Sequence, residues 1–493
     1  MSYLPLLQLA APELLVVLAA LVVLVADLAT LQDLEPRIRR GICAMLAAVG
    51  CLAAIGWMLA LPQPHTDVAA GMFVVDPLIQ SVKIAILLLT AFTLALSIET
   101  DFTRHNGEYS ALVLLAAAGM MFLVSAEDIL MIFVALELTS LSLYILTAFN
   151  KQSVASAEAA LKYFLFGGLS AAFTLFGLSL LYGLSGATNL NQIAAAIHGP
   201  GMDPLLLLAI ILTVIGFGFK VAAAPFHLWA PDTYQGAPTP SAAFIASGSK
   251  VAGFFILAKV ALLGFTEKSA AAQGYTPGWV PVLAAIAALS MLLGNLAAIV
   301  QTSVRRLLAY SAIAHAGYML VAVMARGGQG LSALVYYAVT YALTTLGAFG
   351  VVAVVEQQTG GARLADFAGL SRRAPVVAFC LMIFMLSLAG IPPLAGFFGK
   401  FYVFSAALGA PPGNFGLLWL VMLAIGLSAV SLYYYLMVLK QAYVVEGTSA
   451  PTTPPPILSQ VVLVLLALAV VFLGCAPGWL VTRLSGITAL AGL

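Results

Sequence analysis

Long apolar segments alternate with short polar connections along nearly the whole chain. Apolar segments of about 20 residues are long enough to cross a hydrocarbon core about 30 Å thick as helices. The pattern predicts fourteen spans, at residues 12–30, 41–61, 76–98, 109–125, 128–149, 160–184, 204–227, 239–263, 279–300, 304–324, 330–356, 375–407, 414–440 and 457–476. The predicted fold class is an all-α polytopic membrane protein with almost no room for a soluble domain.

Prolines interrupt two of these spans. The seventh span contains Lys220 followed by Pro225, and the twelfth contains Pro392 and Pro393 ahead of Lys400. Proline lacks a backbone donor and clashes with the preceding helical turn, so we expect both helices to break there. Carbonyl groups freed at membrane depth need protein or water beside them, so each break predicts a polar interior next to a lysine.

The two broken spans are five spans apart and therefore run in opposite directions. An inverted repeat requires this arrangement, and paired broken helices near the midplane are typical of transport sites. The predicted units are a three-helix extension at 1–108, a first five-helix repeat at 109–263, a second, inverted repeat at 279–440 and a C-terminal helix at 457–493.

The composition agrees with a membrane protein, since 63% of the residues are hydrophobic and 8% are charged. Short inside connections carry the excess of Lys and Arg in membrane proteins. With the N-terminus outside, the inside connections hold Arg37, Arg39, Arg40, Arg104, Lys151, Arg305, Arg306, Arg363, Arg372, Arg373 and Lys440, and the outside ones hold Lys268, Arg326 and Arg483. Both termini are therefore predicted to lie outside. Without a transit peptide, the predicted location is a bacterial inner membrane.

Four charged residues, Glu137, Lys220, Lys250 and Lys400, fall well inside apolar spans. A charge at the bilayer centre costs about 2.5–3.5 kcal/mol on insertion scales, so it needs a partner, a water-filled cavity or a substrate route. We interpret the four as a proton pathway. A structural ion pair between helices is the alternative for Glu137, and snorkelling to the membrane surface is the alternative for Lys220.

His315, near the centre of the tenth span, is the predicted relay between Lys250 and Lys400 because imidazole transfers protons near neutral pH. A hydrogen-bonded core histidine is the alternative. Lys259 lies nine residues beyond Lys250, about 13.5 Å along an ideal helix, which suits an exit step.

Three further candidates lie nearer to the membrane surfaces. Lys83 and Lys162 are close enough to span ends to snorkel, so structural and functional roles stay equally open. His227 begins a proline-rich inside connection and is a secondary candidate for a proton entrance, with a rigid loop as the alternative. The four cysteines lack metal-site spacing, so we predict no metal or cofactor in this chain and no nucleic-acid partner.

Five segments together resemble a known family. They are Lys162-Tyr-Phe-Leu-Phe-Gly-Gly168, Phe219-Lys-Val-Ala-Ala-Ala-Pro-Phe-His-Leu-Trp-Ala-Pro-Asp232, Gly236-Ala-Pro-Thr-Pro240, Arg306-Leu-Leu-Ala-Tyr-Ser-Ala-Ile-Ala-His315 and Leu386-Ser-Leu-Ala-Gly-Ile-Pro-Pro-Leu-Ala-Gly-Phe-Phe-Gly-Lys400. Over nearly the whole chain the sequence is similar to the subunit N family of the proton-pumping NADH:quinone oxidoreductase, respiratory complex I. Several of these segments are shared with the wider antiporter-like family.

The resemblance implies a proton-translocating membrane subunit without redox centres, driven by quinone reduction elsewhere in the complex. It implies that Glu137 pairs with Lys220, that Lys250 is the midpoint and that Lys400 lies near the exit. It also implies other membrane subunits as partners in the lipid bilayer, with NAD, FMN, iron–sulfur clusters and quinone bound by partner subunits. Ser249 departs from the family, where proline often precedes the midpoint lysine.

A subunit of a cation/proton antiporter is the alternative function. Such a protein would use the same charged residues, but it should also contain a cation site made of carbonyl and carboxylate oxygens. Glu137 is the one acid that the sequence places convincingly at mid-membrane, which weighs against this alternative. A purely structural role leaves the buried charges unexplained.

Overall fold

A computed structural model of the 493-residue chain provides the fold. The structure describes residues 3–61, 64–68, 71–197, 203–265, 278–409, 415–447 and 454–490. Lys268, which the charge pattern assigns to an outside connection, lies outside the described residues, as do residues 491–493 of the predicted C-terminal unit.

The described chain is mostly α-helical, which confirms the predicted class. The helices are α1 (Tyr3–Leu9), α2 (Ala11–Ala29), α3 (Pro36–Ala60), α4 (Pro77–Ser97), α5 (Asn106–Ser125), α6 (Ile129–Thr147), α7 (Val154–Ser185), α8 (Leu190–Ala196), α9 (Pro204–Lys220), α10 (Trp229–Gly236), α11 (Thr239–Ala246), α12 (Gly248–Lys259), α13 (Trp279–Ile299), α14 (Val304–Ala325), α15 (Gly327–Thr359), α16 (Leu370–Arg373), α17 (Pro375–Ala389), α18 (Ala395–Leu408), α19 (Leu418–Tyr443), α20 (Ile457–Cys475) and α21 (Pro477–Leu490). Strands β1 (Thr66–Val68) and β2 (Phe73–Val75) form an antiparallel hairpin before α4.

Twelve helical stretches of the described chain are long and apolar enough to cross a membrane. The seventh and twelfth predicted spans differ, because each is split and contributes shorter apolar helices: α9 for the seventh, and α17 and α18 for the twelfth. The chain is a multi-pass membrane protein. Its number of crossings stays a prediction.

Both predicted helix breaks are present, but the first begins earlier than expected. Helix α9 ends at Lys220, five residues before Pro225, because the chain turns at Ala222, where φ is +57°. Helices α17 and α18 flank the Pro392–Pro393 pair as predicted. Pro225 and Pro393 both follow cis peptide bonds. The prolines therefore stand inside the connections and do not mark the last helical residue.

A third break, which the sequence pattern did not predict, divides the eighth span at Ser247, between α11 and α12. The Ser247 hydroxyl donates to the Ala243 carbonyl at 2.7 Å, and the Ser249 hydroxyl donates to the Ile245 carbonyl at 2.9 Å. Hydroxyl groups that bond to the preceding turn bend helices. The sequence signal for this break is Gly248 with a serine on each side.

Helices α11, α12, α14 and α15 form the centre of the fold. In the most apolar stretches of Thr239–Gly264 and Val304–Ala325, 94% of the residues are buried, compared with 33% in α2 and α7. Lys250 lies on α12 and His315 on α14. Both side chains are therefore deep inside the protein and do not face lipid.

The connections lie on two faces of different charge. The basic face carries arginine ion pairs between neighbouring connections, namely Arg37–Glu99, Arg40–Asp101 and Arg305–Glu356. The opposite, acidic face carries the β1–β2 hairpin and the α5–α6 turn, with Asp67, Asp76 and Glu127. The charge pattern predicts that the basic face is inside.

The two predicted repeat units share a backbone pattern. In the first unit, two backbone hydrogen bonds join the turn before α6 to the segment after α7. In the second unit, two such bonds join the turn before α14 to the segment after α15. These bonds join Ile129 to Thr188 and Leu190 to Glu127 in the first unit, and Val304 to Ala362 and Leu364 to Thr302 in the second. The first set lies at the acidic face and the second at the basic face, as an inverted repeat requires. The inverted repeat itself stays a prediction.

Glycines bring α13 and α14 close together. A Cβ at Gly294 would lie 2.5 Å from the backbone nitrogen of Ala314, and a Cβ at Gly317 would lie 2.7 Å from the carbonyl oxygen of Ala287. Small residues allow such close approach between membrane helices. The position of His315 depends on this contact because Gly317 and Ala314 are its neighbours on α14.

We expect Gly294→Ala to destabilise the protein by about 1–3 kcal/mol, since the added methyl group meets backbone atoms that cannot move independently. Gly426→Ala is the matched control, because nothing lies within 4 Å of its Cβ position. The control should gain up to about 1 kcal/mol from better helix propensity. Thermal unfolding midpoints in detergent test this, and changes of the same sign in both variants would contradict it.

Candidate functional site

The lysines within the predicted spans form two groups. Lys83, Lys162 and Lys259 each lie within 4.0 Å of a carboxylate oxygen. Lys220, Lys250 and Lys400 are buried and make no such ion pair within the described part of the chain, although each donates a hydrogen bond to a neutral oxygen. The second group consists of three of the residues predicted to carry protons.

Lys220 is the last residue of α9, and its Nζ donates to the Ser140 hydroxyl on α6 at 3.0 Å. Glu137 lies one turn before Ser140 on the same helix face, and it attracts the Lys220 charge without direct contact. Glu137 and Lys220 thus interact electrostatically without direct contact, while the Ser140 hydroxyl binds the ammonium group. Residues 221–228 follow, and Trp229 closes the turn by donating to the Phe219 carbonyl at 3.1 Å.

Glu137 is half-buried and lies on an exposed helix face. Its neighbours there at helical spacing are Leu130, Val134, Leu141 and Ile145, of which each is about half exposed. A carboxylate in the middle of an apolar stripe is costly against lipid. The nearby Lys220 charge lowers this cost, and a covering protein surface would lower it further.

Lys250 lies near the start of α12, almost fully buried, and its Nζ donates to the Ala312 carbonyl on α14 at 2.6 Å. The same ammonium group lies 5.8 Å from the centre of the Tyr341 ring. Ala312 and His315 are three residues apart on α14 and share a helix face. The midpoint lysine and the predicted relay histidine therefore belong to one cluster.

His315 is held by two tyrosine hydroxyls. Its Nδ1 lies 2.7 Å from the Tyr337 hydroxyl, and its Nε2 lies 3.2 Å from the Tyr435 hydroxyl, which lies 2.5 Å from the Ser311 hydroxyl. Hydroxyl groups both donate and accept hydrogen bonds, so these tyrosine and serine hydroxyls can pass a proton as well as fix the imidazole ring. The structure shows the hydrogen-bonded core histidine of the first alternative. The relay role of His315 stays a prediction.

The side chain of Lys400, on α18, reaches the break in the twelfth span. Its Nζ donates to the carbonyls of Leu388 and Ala389, at 3.1 and 3.0 Å, and to the Ser428 hydroxyl at 2.8 Å. The Tyr318 ring lies 5.2 Å away. The carbonyls freed by the break therefore bind the lysine, as the sequence predicted for this span. In the seventh span, the freed carbonyls bond to the chain's own backbone and to Trp229 instead.

Lys162 reaches the basic face, where its Nζ donates to Asp232 at 2.8 Å and lies 2.7 Å from Glu158. Arg306 donates to the other Asp232 oxygen at 2.6 Å. Burial raises the pKa of the Asp232 carboxyl, but the hydrogen bonds from Lys162 and Arg306 outweigh burial and hold that pKa below its usual range. This cluster ties α7, α10 and α14 together. His227 is buried, and it precedes Asp232 in the same connection. Among the described residues, it makes no hydrogen bond to Lys162.

The sequence allowed Lys83 to snorkel to the membrane surface, but its side chain does not do so. It is fully buried, and its Nζ lies 2.6 Å from Glu13, which is also fully buried. Glu13 lies in the first turn of α2, near a helix end. The expectation that Glu137 is the one convincing mid-membrane acid therefore stays a prediction. Lys259 is paired with Glu127 at 3.1 Å and donates to the Val124 carbonyl at 3.2 Å.

The structure adds site residues that the sequence did not single out. They are the neutral partners Ser140, Ser428, Tyr337, Tyr341 and Tyr435. Hydroxyl residues are common in membrane helices, so their type and position gave no signal. Only the packing of α6, α15 and α19 against the lysine-bearing helices brings them to the site.

Comparisons with known proteins identify the family of this chain. A family described as NADH:quinone oxidoreductase/Mrp antiporter transmembrane proteins matches residues 126–431. NADH-quinone oxidoreductase subunit N 2 of Acidobacterium capsulatum is 52% identical over 494 aligned positions, covering 97% of this chain and 98% of the relative. A chain of respiratory complex I from Thermus thermophilus with bound aureothin matches with a TM-score of 0.79 and 36% identity, covering 95% of this chain and 99% of that one.

A chain of the Mrp complex from Dietzia sp. matches with a TM-score of 0.82 at 22% identity, covering 99% of this chain and 97% of that one, which shows a shared fold. Fold and site together define an antiporter-like, polytopic α-helical membrane protein. The chain belongs to the NADH:quinone oxidoreductase/Mrp antiporter family. The resemblance found in the sequence is confirmed.

We expect Asp232→Asn to lower the thermal unfolding midpoint by a constant amount between pH 8 and about pH 5, because a lowered pKa keeps the carboxylate ionised there. Stability from a lowered carboxyl pKa is complete above the unfolded-state pKa and is lost as the pH falls through the folded-state pKa. Asp33→Asn, at an exposed position, is the control. A difference that already disappears near pH 6 would contradict this assignment.

Proposed function

We propose that the chain is a proton-translocating membrane subunit of an NADH:quinone oxidoreductase, of the subunit N type. Protons are passed among Lys220, Lys250, His315 and Lys400, driven by quinone reduction elsewhere in the complex. The names of the relatives and the buried charge cluster support this proposal.

One observation carries the proposal. Lys220, Lys250 and Lys400 are buried but hydrogen-bonded to neutral oxygens. Lys83, Lys162 and Lys259 are instead paired with carboxylates. Burial without a counter-charge disfavours the ammonium form, so these lysines can give up protons as well as take them. A carboxylate partner favours the charged ammonium form, so a paired lysine releases its proton less readily.

Glu137 provides the input. Its carboxylate, one helical turn before Ser140 on α6, attracts the Lys220 charge. When an electrostatic change moves Glu137 away from Lys220, the ammonium group loses this support and releases its proton toward Lys250. Pumping one proton against about 100 mV costs about 2.3 kcal/mol, and one pKa unit corresponds to about 1.4 kcal/mol. Modest changes in proton affinity along the chain are therefore sufficient.

Partner subunits complete the site. The exposed stripe around Glu137 matches a surface that another membrane subunit covers, and the solved relatives are parts of multi-subunit complexes. In this proposal NAD, FMN, iron–sulfur clusters and quinone are bound by partner subunits. The chain lies in a bacterial inner membrane with both termini outside.

The antiporter alternative is less well supported. A cation site would use carbonyl oxygens freed at a helix break, but at the break in the twelfth span the Lys400 ammonium group itself binds the carbonyls of Leu388 and Ala389. No cluster of three potential metal ligands occurs within the described chain.

Purification in mild detergent through a tag on this chain tests the assignment. We expect the eluate to oxidise NADH with quinone as acceptor and to contain flavin and iron–sulfur spectra from partner subunits. A cofactor-free eluate that exchanges cations for protons in liposomes would support the antiporter alternative instead.

Lys250→Ala should lower the number of protons pumped per electron in the assembled complex reconstituted in liposomes, because the midpoint of the chain is lost. Electron transfer measured with uncoupler present should change less. Lys440→Ala, in the last turn of α19 at the basic face, is the control. An unchanged proton-to-electron ratio in Lys250→Ala would rule out this route.

A further inference from the structure

Two cavities lie at opposite ends of the broken helix formed by α11 and α12. A cavity of about 470 Å³ at the basic face is lined by residues 238–240, where α11 begins. A cavity of about 280 Å³ at the acidic face is lined by Phe255 and Lys259 at the end of α12. Lys250 lies between them. Helices α11 and α12 together thus place a buried lysine between a cavity at the basic face and a cavity at the acidic face.

The acidic-face cavity runs from an exposed mouth to a buried lysine. His65 and Asp67 at the mouth are exposed, while Lys259 at the deep end is 7% exposed. Asp76 and Glu127 also line it. A mouth lined by acids attracts protons and other cations, and water-sized molecules can reach Lys259 from this face.

Glu127 is the acid in this cavity that is paired with Lys259. The Asp76 carboxylate accepts from the Ile79 backbone at the start of α4, and Asp67 accepts from the Gly71 backbone in the hairpin. These two acids have structural roles. The Glu127 carboxylate instead lies 3.1 Å from the Lys259 Nζ and 3.5 Å from the Asn191 amide.

The surroundings of Lys259 have two further unusual features. A π-helical turn, Val260–Gly264, begins directly after it, and such turns are frequent at functional sites. Ser125 follows Val124, whose carbonyl accepts from Lys259, and the buried Ser125 hydroxyl has no hydrogen-bond partner among the described residues. The charged groups that act on Lys259 are Glu127 in the α5–α6 turn, and Asp76 and Lys83 at the start of α4.

We propose that Lys259 and Glu127 form the release gate through which protons from Lys250 leave into the acidic-face cavity. The proposal rests on the proposed function and moves the release step from Lys400, which does not line this cavity, to the end of α12. At rest the ion pair keeps Lys259 as an ammonium group and Glu127 as a carboxylate. The ammonium group gives its proton to Glu127, which passes it to water in the cavity and becomes a carboxylate again. Neutral Lys259 then takes up a proton from the Lys250 side.

Substitutions at Lys259 in the intact complex separate this role from a structural one. Arginine keeps the charge and the pair with Glu127 but cannot be deprotonated, whereas histidine can carry a proton. We expect Lys259→Arg and Lys259→Ala to lower the proton-to-electron ratio to the value found for Lys250→Ala. Lys259→His should recover at least half of the difference. Lys83→Arg, in the neighbouring buried pair, should keep the parent ratio.

The outcomes separate the two proposals. If Lys250→Ala lowers the ratio while Lys259→Arg keeps the parent value, the pair with Glu127 is structural and the release gate is wrong. If Lys250→Ala itself has no effect, the proposed function and the gate both fail.

A second measurement does not depend on changing Lys259. Leu262 also lines the cavity and is half-buried. A membrane-impermeant, cationic thiol reagent applied at the acidic face should react with Leu262→Cys and lower the ratio to the Lys250→Ala value, because it places a fixed positive charge in the release route. The same treatment of the parent is the control for its native cysteines. A modified Leu262→Cys complex with the parent ratio would overturn the gate.

Discussion

The cost of burying an ammonium group governs the architecture of this protein. An ammonium group has three N–H donors and no acceptor, and removing it from water is unfavourable unless oxygens replace the lost hydration. Lys400 obtains three such oxygens from two backbone carbonyls and one serine. These acceptors are neutral, so they lower the cost of the charged form without fixing the charge. The lysine is stable enough to remain buried and is still able to lose its proton.

Broken helices supply these oxygens, but the two halves of the chain use them differently. At the break in the twelfth span, the freed carbonyls bind Lys400 directly. At the break in the seventh span, the freed carbonyls are satisfied within the turn, and Lys220 is held by Ser140 from a neighbouring helix. Lys220 thus depends on α6, the helix that carries Glu137. A movement of α6 therefore affects the serine contact and the carboxylate together, which couples the first lysine to the input acid.

The sequence predicted the helical class, the two proline breaks and the buried lysines, because each depends on local chemistry: apolar length, a missing backbone donor, or a charge within an apolar run. It did not predict the break at Ser247, since serine weakens a helix only when its hydroxyl bonds back to the preceding turn. It also missed the pairing of Lys83 with Glu13. That pair joins α2 to α4, and a contact between residues 70 positions apart depends on packing.

The arrangement of paired and unpaired lysines places a barrier in the middle of the proposed pathway. Lys162 at the basic face and Lys259 at the acidic face are paired with acids, while Lys250 between them binds a neutral carbonyl. Acids at both faces favour the protonated form of the terminal lysines, and their absence in the middle disfavours it. A proton therefore meets its highest energy at Lys250, where the surroundings are most buried. Control of transfer then requires an outside influence on this barrier, and the half-exposed Glu137 is where a partner subunit can exert it.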